Sequence, residues 1–320
     1  MNDNKTEYQT KSRHQRPLLV SMACLVFMVS SYLFGAYSYQ NFMIPDAMVW
    51  FLKTYFNHVD PPITGTYDSF NRLIAIAGKK DVACPQQTKD TAVLLVIGQS
   101  NAANHAEKKL NTRYPQHVIN YHNGHCYVAQ SPLLGATGEQ GEFITAVADQ
   151  LMDRHLYQDV VIVSSAIGGS SITRWQVDGD LNQMLLETLS QIKDYQITHI
   201  LWHQGETDFG LSLNETIYEK SFNSLRNSLR DVGVTAPFFI AQATKCGDNP
   251  YWTQVNPVTT AQRKLADQPN TVLVANTDAL LTAKDRRRDL CHLSETGQSK
   301  IAAAYAEAIE KDQPLRAPKK

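Results

Sequence analysis

Two short segments far apart in the chain hold the residue types of nucleophilic acyl transfer. Gly98-Gln99-Ser100-Asn101 presents a serine in a turn that a glycine permits, and Asp289-Leu290-Cys291-His292 sets a carboxylate three residues before an imidazole. A serine hydroxyl is a weak nucleophile at neutral pH, so it needs a positioned base, and the base needs a third group to orient it. Asp289 and His292 would supply both within one turn. The carboxylate would fix the imidazole tautomer and stabilise the imidazolium that forms on proton transfer. The tetrahedral oxyanion then needs hydrogen-bond donors, each worth about 2.7–4 kcal/mol of transition-state stabilisation. Three are expected: the N–H of Ser100, the N–H of Gly168 and the side-chain amide of Gln204. None of this chemistry requires a metal or an organic cofactor.

Nearby residues carry further expectations. Gln99, Asn101, Arg174 and Trp175 are candidate substrate contacts; for the last two, a guanidinium and an aromatic face suit sugars, and simple packing is the alternative. Glu206 is expected to be a buried carboxylate bonding loop amides. Arg286-Arg287-Arg288 reads as a solvated face, with attraction of an anionic polysaccharide the alternative, and His122-x-x-His125 beside Cys126 has metal-like spacing without further ligands to match.

These residues need elements to bring them together. Apolar runs suited to buried strands fall at Ala92–Ile97, His117–Tyr121, Val160–Ser164, His199–Trp202, Phe238–Ala241 and Val272–Ala275. Helical patterns lie between or after them, at Phe143–Arg154, Leu181–Ile192, Ile217–Arg230, Thr259–Ala266 and Glu295–Glu310. Continuous apolar strands separated by helices indicate a mostly parallel sheet covered on both faces, hence a doubly wound α/β domain. Such a sheet does its chemistry in the loops leaving the carboxyl ends of its strands. Ser100, Gly168 and Gln204 each follow a strand directly, and His292 follows the last one.

Four blocks in that order, Gly98-Gln99-Ser100-Asn101, Gly168-Gly169-Ser170 with Trp175, Gln204-Gly205-Glu206 and Asp289-x-x-His292, resemble the SGNH/GDSL hydrolase superfamily. The nearest branch is the sialate O-acetylesterase-like and acetylxylan-esterase-like carbohydrate esterases. The resemblance covers roughly residues 90–312, including Leu293–Ala304, which matches that branch's closing helix. It implies a three-layer α/β sandwich, flavodoxin-like, with a mostly parallel five-stranded sheet. It also implies Ser100 as nucleophile, His292 and Asp289 as its partners, and Gly168 and Gln204 in the oxyanion hole. Ala102 stands where the branch often has Met, and it also removes the Gly-x-Ser-x-Gly turn of the rival α/β-hydrolase fold. The implied activity is a serine esterase removing O-acetyl groups from carbohydrates or glycoconjugates. An O-acetyltransferase, a lipase or thioesterase, and a non-catalytic glycan-binding scaffold are the alternatives.

Composition places this domain. The chain has 320 residues, 43% hydrophobic, and a formal net charge of -1, which removes any whole-chain case for nucleic-acid binding. Leu18–Tyr39 is uncharged and apolar, and Lys11, Arg13 and Arg16 precede it. That arrangement reads as a signal-anchor with a cytoplasmic amino terminus and an exported remainder, on the periplasmic face of a bacterial inner membrane. Ala36-Tyr37-Ser38 keeps a cleavable signal open. The expected layout is a basic tail at 1–16, a membrane span at 17–39, a connector at 40–88, the hydrolase domain at 89–312 and a polar tail at 313–320. Beyond Cys24 of the span, Cys84, Cys126, Cys246 and Cys291 are an even set in an oxidising compartment. Four cysteines allow three pairings that sequence does not separate. Cys84–Cys126 with Cys246–Cys291 is the working expectation, and four free thiols the alternative.

Overall fold

The computed structural model describes Phe27, Val29–Tyr32, residues 65–192 and residues 194–313. The chain divides into two compact units, Met1–Ile63 and Thr64–Lys320. Apart from Phe27 and Val29–Tyr32, which are helical, the expected membrane span lies outside the described residues. Among the described residues no helix is long and apolar enough to cross a membrane.

In the second unit the strands are β1 (Thr66–Tyr67), β2 (Leu73–Ala75), β3 (Asp81–Val82), β4 (Thr91–Gly98), β5 (Val118–His122), β6 (His125–Val128), β7 (Asp159–Ser164), β8 (His199–His203), β9 (Phe238–Gln242) and β10 (Thr271–Asn276). The helices are α1 (Ile144–Asp153), α2 (Asp180–Ser190), α3 (Glu206–Gly210), α4 (Glu215–Asp231), α5 (Pro257–Ala266), α6 (Thr277–Leu280) and α7 (Glu295–Asp312). Strands β1 and β2 form a small antiparallel pair. The main sheet runs β10-β9-β8-β4-β7-β5-β6-β3. Its first six strands are parallel, and β6 and β3 add an antiparallel edge. The expected five-stranded sheet is therefore too small. Six parallel strands form the centre, and the missed edge strands are short and polar enough to hide in a loop.

Strand β4 shows why the layers form. It is buried along its whole length, and its side chains alternate between faces. Ala92, Leu94 and Val96 pack with Ile144, Val147 and Leu151 of α1 and with Ile301, Tyr305 and Ile309 of α7. Val93, Leu95 and Ile97 pack with α2, α4 and α5 through Leu181, Met184, Phe222, Leu225, Val258 and Leu265. Each fully buried Leu or Ile is worth about 1.5–3 kcal/mol, so this one strand anchors both layers.

Among the parallel strands, the chain winds from β4 through β5 to β7 on one side and from β8 through β9 to β10 on the other. The reversal at β4 opens a crevice beyond its carboxyl end, the usual site of chemistry in such sheets.

Residues 65–88, read as connector, belong to this unit. Leu73 is fully buried; its N–H donates to Ala136 O, and its carbonyl accepts from Gly135 N–H. Strand β3 pairs with β6, and the Cys84–Cys126 disulfide ties the same segment to β6. The compact unit begins upstream of 89, at Thr64.

Candidate active site

Strand β4 ends at Gly98 with φ +133°, and a Cβ there would lie 2.2 Å from the His203 carbonyl oxygen of β8. Only glycine lets the two strand ends approach this closely. The chain then turns through the short 3-10 segment Ser100–Ala102. An open cleft of about 860 Å³ lies over these strand ends, and Ser100, Gly168 and His292 all line it. Three of the residues singled out from sequence, on three separate loops, thus meet at one cavity.

Behind His292 stands Asp289. Its Oδ2 lies 2.9 Å from His292 Nδ1, while its Oδ1 accepts the backbone N–H groups of Cys291 and His292, each at 2.9 Å. Burial alone would raise this carboxyl, but the hydrogen bonds from His292 and the two amides hold it below the ordinary range. An ionised Asp289 fixes the proton on His292 Nδ1 and leaves Nε2 as the basic nitrogen. The loop is held from below as well. The Cys291 carbonyl accepts from Arg286 Nη1 at 2.8 Å and from Asn101 Nδ2 at 3.3 Å, and Cys246–Cys291 is a disulfide.

The oxyanion donors differ from expectation. Gln204 is fully buried, with its amide NH2 donating to the Asp208 carboxylate and, at 3.0 Å, to Ser170 O; its Oε1 accepts from Tyr218 OH at 2.9 Å. Gln204 is committed to joining the second and third loops and does not reach the cleft. Asp208 completes that tie by accepting Ser171 Oγ and the Ile172 N–H. The Gly168 N–H is at the cleft and donates to Thr137 Oγ1 at 2.8 Å. Thr137 Oγ1 is also 3.2 Å from His105 Nε2, and the His105 ring stacks on His292 at 5.4 Å between centroids. Burial first, then the neighbouring His292 and Arg287, pushes His105 down to about 4, so it is neutral at ordinary pH. Sequence reasoning missed both Thr137 and His105, because neither lies in a motif.

Other candidates separate by burial. Gln99 lines the cleft, and its Oε1 accepts from Gly205 N–H and Thr207 N–H at 3.3 and 3.1 Å, so it also holds the third loop. Arg174 lines the cleft too, paired to Asp180 through two nitrogens at 3.0 and 2.6 Å. Two expected substrate contacts are not there. Asn101 is buried beneath the cleft, bonding Glu206 Oε1 at 2.7 Å. Trp175 is fully buried, its indole donating to Ser170 Oγ and its ring set edge-on to Trp202. Glu206 is buried as expected, though its partner is that side-chain amide. Of the three arginines read as a solvated face only Arg288 is exposed; Arg286 is buried, and Arg287 donates to His105 O. Cys126 lies in the Cys84–Cys126 disulfide. Among the described residues no group of three metal-type side chains converges.

Comparison with known proteins matches this architecture. The fold is similar to that of a protein from Arabidopsis thaliana, with a TM-score of 0.52 at 16% identity, covering 70% of this chain and 98% of that one. It is also similar to NanS, with a TM-score of 0.51 at 17% identity, covering 72% of this chain and 98% of that one. At such identities these likenesses show the fold alone. No curated protein sequence matches the chain. The family model for carbohydrate esterase, sialic acid-specific acetylesterase, matches residues 90–311, well over half of the chain and the loops that carry Ser100, Gly168 and His292. The chain belongs to that family of SGNH/GDSL carbohydrate esterases.

Proposed function

We propose that this protein removes O-acetyl groups from a carbohydrate by a Ser100–His292–Asp289 acyl-enzyme mechanism. Ser100 Oγ attacks the ester carbonyl while His292 Nε2 takes its proton. The Ser100 and Gly168 N–H groups receive the oxyanion, the latter exchanging its bond to Thr137 for the incoming oxygen. The imidazolium then protonates the departing sugar oxygen, leaving an acetyl-serine. Water attacks that ester, again with His292 as base, and releases acetate and free Ser100. Asp289 stays ionised throughout and stabilises each imidazolium. Family membership supports hydrolysis of an O-acetyl ester in general. The observation that carries the mechanism is the Asp289–His292 bond of 2.9 Å on a loop that shares one cleft with Ser100.

We further propose that the domain works on the outer side of a membrane, held by the apolar segment 17–39. Two disulfides fit an oxidising compartment, and the basic residues before that segment fit a cytoplasmic amino terminus.

The test is acetate release by the full chain from a panel of acetylated glycans. Wild type is expected to turn over at least one of them, and Ser100→Ala to fall to background. Ser100→Ala protein that keeps its activity would end this mechanism.

A further inference from the structure

The cleft has a wall that the family match does not include. Residues 90–311 cover the loops that carry the chemistry, but Tyr67, Ser69, Phe70 and Asn71 also line the cleft, and they come from the β1–β2 hairpin upstream. The hairpin is fixed in advance. The Asp68 carboxylate accepts the Phe70 and Arg72 N–H groups at 2.9 Å each and pairs with Arg72 Nε at 2.7 Å. Arg72 in turn donates to Thr188 at 2.8 Å and lies 6.0 Å from the Phe70 ring centroid. Phe70 packs against the core, and the next strand is pinned by buried Leu73. Tyr67 is 41% exposed, with its hydroxyl bonded to Glu139, whose carboxylate also accepts the Gly65 N–H. An aromatic ring that stays this exposed while its hydroxyl is tied down is a rigid apolar platform with polar neighbours.

Among the described residues lining the cleft, Arg174 is the one lysine or arginine, and Asp180 already holds it through two nitrogens. A carboxylate ligand is normally recognised by an unpaired cation, best an arginine with both nitrogens available.

Resting on the acetylesterase reading, we propose that the β1–β2 hairpin forms the sugar subsite and that its occupant is a neutral acetylated glycan, not an acidic one such as a sialic acid. The C–H face of a pyranose ring lies on Tyr67 and the exposed part of Phe70, and its hydroxyls meet Ser69 and Asn71. A sialic acid carboxylate would meet an Arg174 whose charge and Nε–Nη2 edge Asp180 already takes, leaving it Nη1 in place of a free two-nitrogen fork.

The experiment uses the full chain with three esters: 4-nitrophenyl acetate, an acetylated xylo-oligosaccharide and O-acetylated N-acetylneuraminic acid. Wild type is expected to have the higher kcat/KM on the neutral oligosaccharide than on the sialate. Tyr67→Ala is expected to lower the ratio of kcat/KM on the oligosaccharide to that on 4-nitrophenyl acetate by about tenfold, mainly through KM. Tyr67→Phe, which keeps the ring, should hold that ratio within about twofold. Calorimetric binding of unacetylated xylo-oligosaccharide to Ser100→Ala protein should weaken by the same factor in Ser100→Ala/Tyr67→Ala, a readout independent of turnover. A preference for the sialate, or an unchanged ratio and binding constant in the Tyr67→Ala proteins, overturns the subsite. Loss of hydrolysis of every ester by wild type overturns the esterase reading instead, and the calorimetry still decides the subsite.

Discussion

Asp289 serves two purposes with two oxygens. One holds His292 Nδ1, and the other folds the loop by accepting the Cys291 and His292 amides. Replacing it with asparagine separates these tasks. The amide oxygen of Asp289→Asn still accepts both backbone N–H groups, so the loop persists, but an NH2 facing Nδ1 forces the imidazole proton onto Nε2. That nitrogen then donates where it must accept, and kcat on 4-nitrophenyl acetate is expected to drop by about 10³–10⁴-fold with little change in KM. Activity within threefold of wild type would remove Asp289 from the mechanism. This pair was legible in the sequence because both members lie within one turn, where the i, i+3 spacing fixes their approach. Gln204 was not legible in the same way. Its amide could face the cleft or the core, and the choice is made by Asp208, four residues on, whose carboxyl burial raises and whose hydrogen bonds from Ser171 and Gln204 oppose that rise. Trp175 was misread for a similar reason. An indole suits a sugar face or a core equally well, and only the packing of Trp202 against it decides.

At the scale of elements, the loop bearing His292 has little regular structure of its own and is held by added bonds. It lies between β10 and α7, with Leu290 in the left-handed region at φ +56°. The Cys246–Cys291 disulfide ties it to the segment after β9, across a sequence separation of 45. Closing a loop of that length removes about 4 kcal/mol of unfolded-state entropy in the chain model, and measured values commonly fall at about 2–4 kcal/mol. A Cys246→Ser/Cys291→Ser double variant is therefore expected to lose roughly 5–10 °C in Tm. Because Cys291 is adjacent to His292, kcat should fall with it, and strong reductant should reproduce both losses in wild type. Unchanged melting and turnover in reductant would show that the bond neither stabilises nor positions this loop. The six parallel strands were readable because strands buried on both faces must be apolar without interruption. The edge strand β6, and the segment carrying β1 to β3, were not. These strands are short and mostly part-exposed, and their place is set by partners distant in sequence, such as Ala136 for Leu73 and Cys126 for Cys84.

For the whole molecule, pH acts through histidines that the fold keeps neutral. His105, His122, His199 and His203 sit beside the serine turn, at the end of β5 and at the two ends of β8, and burial pushes each down to about 4. In the unfolded chain an imidazole titrates near 6.5. Between those values the unfolded chain binds protons that the folded chain refuses, so stability falls as pH falls. Their contribution is intact above about 6.5, declines through the window down to about 4, and is lost below it. Asp289 adds to the loss at still lower pH, because its folded-state pKa is depressed. Asp208 and Asp278 act in the opposite sense, since burial raises them. Four imidazoles titrating in one direction outweigh them in the upper part of the range. Thermal melting should therefore show Tm nearly constant from pH 8 to 7 and then falling steadily towards pH 4.5. His199→Gln and His203→Gln, which remove a titrating ring from β8, should each flatten the slope even where they lower Tm at pH 8. A Tm level from pH 7 to 4.5, or slopes the two variants leave unaltered, would mean that these histidines do not set the acid limit of the fold.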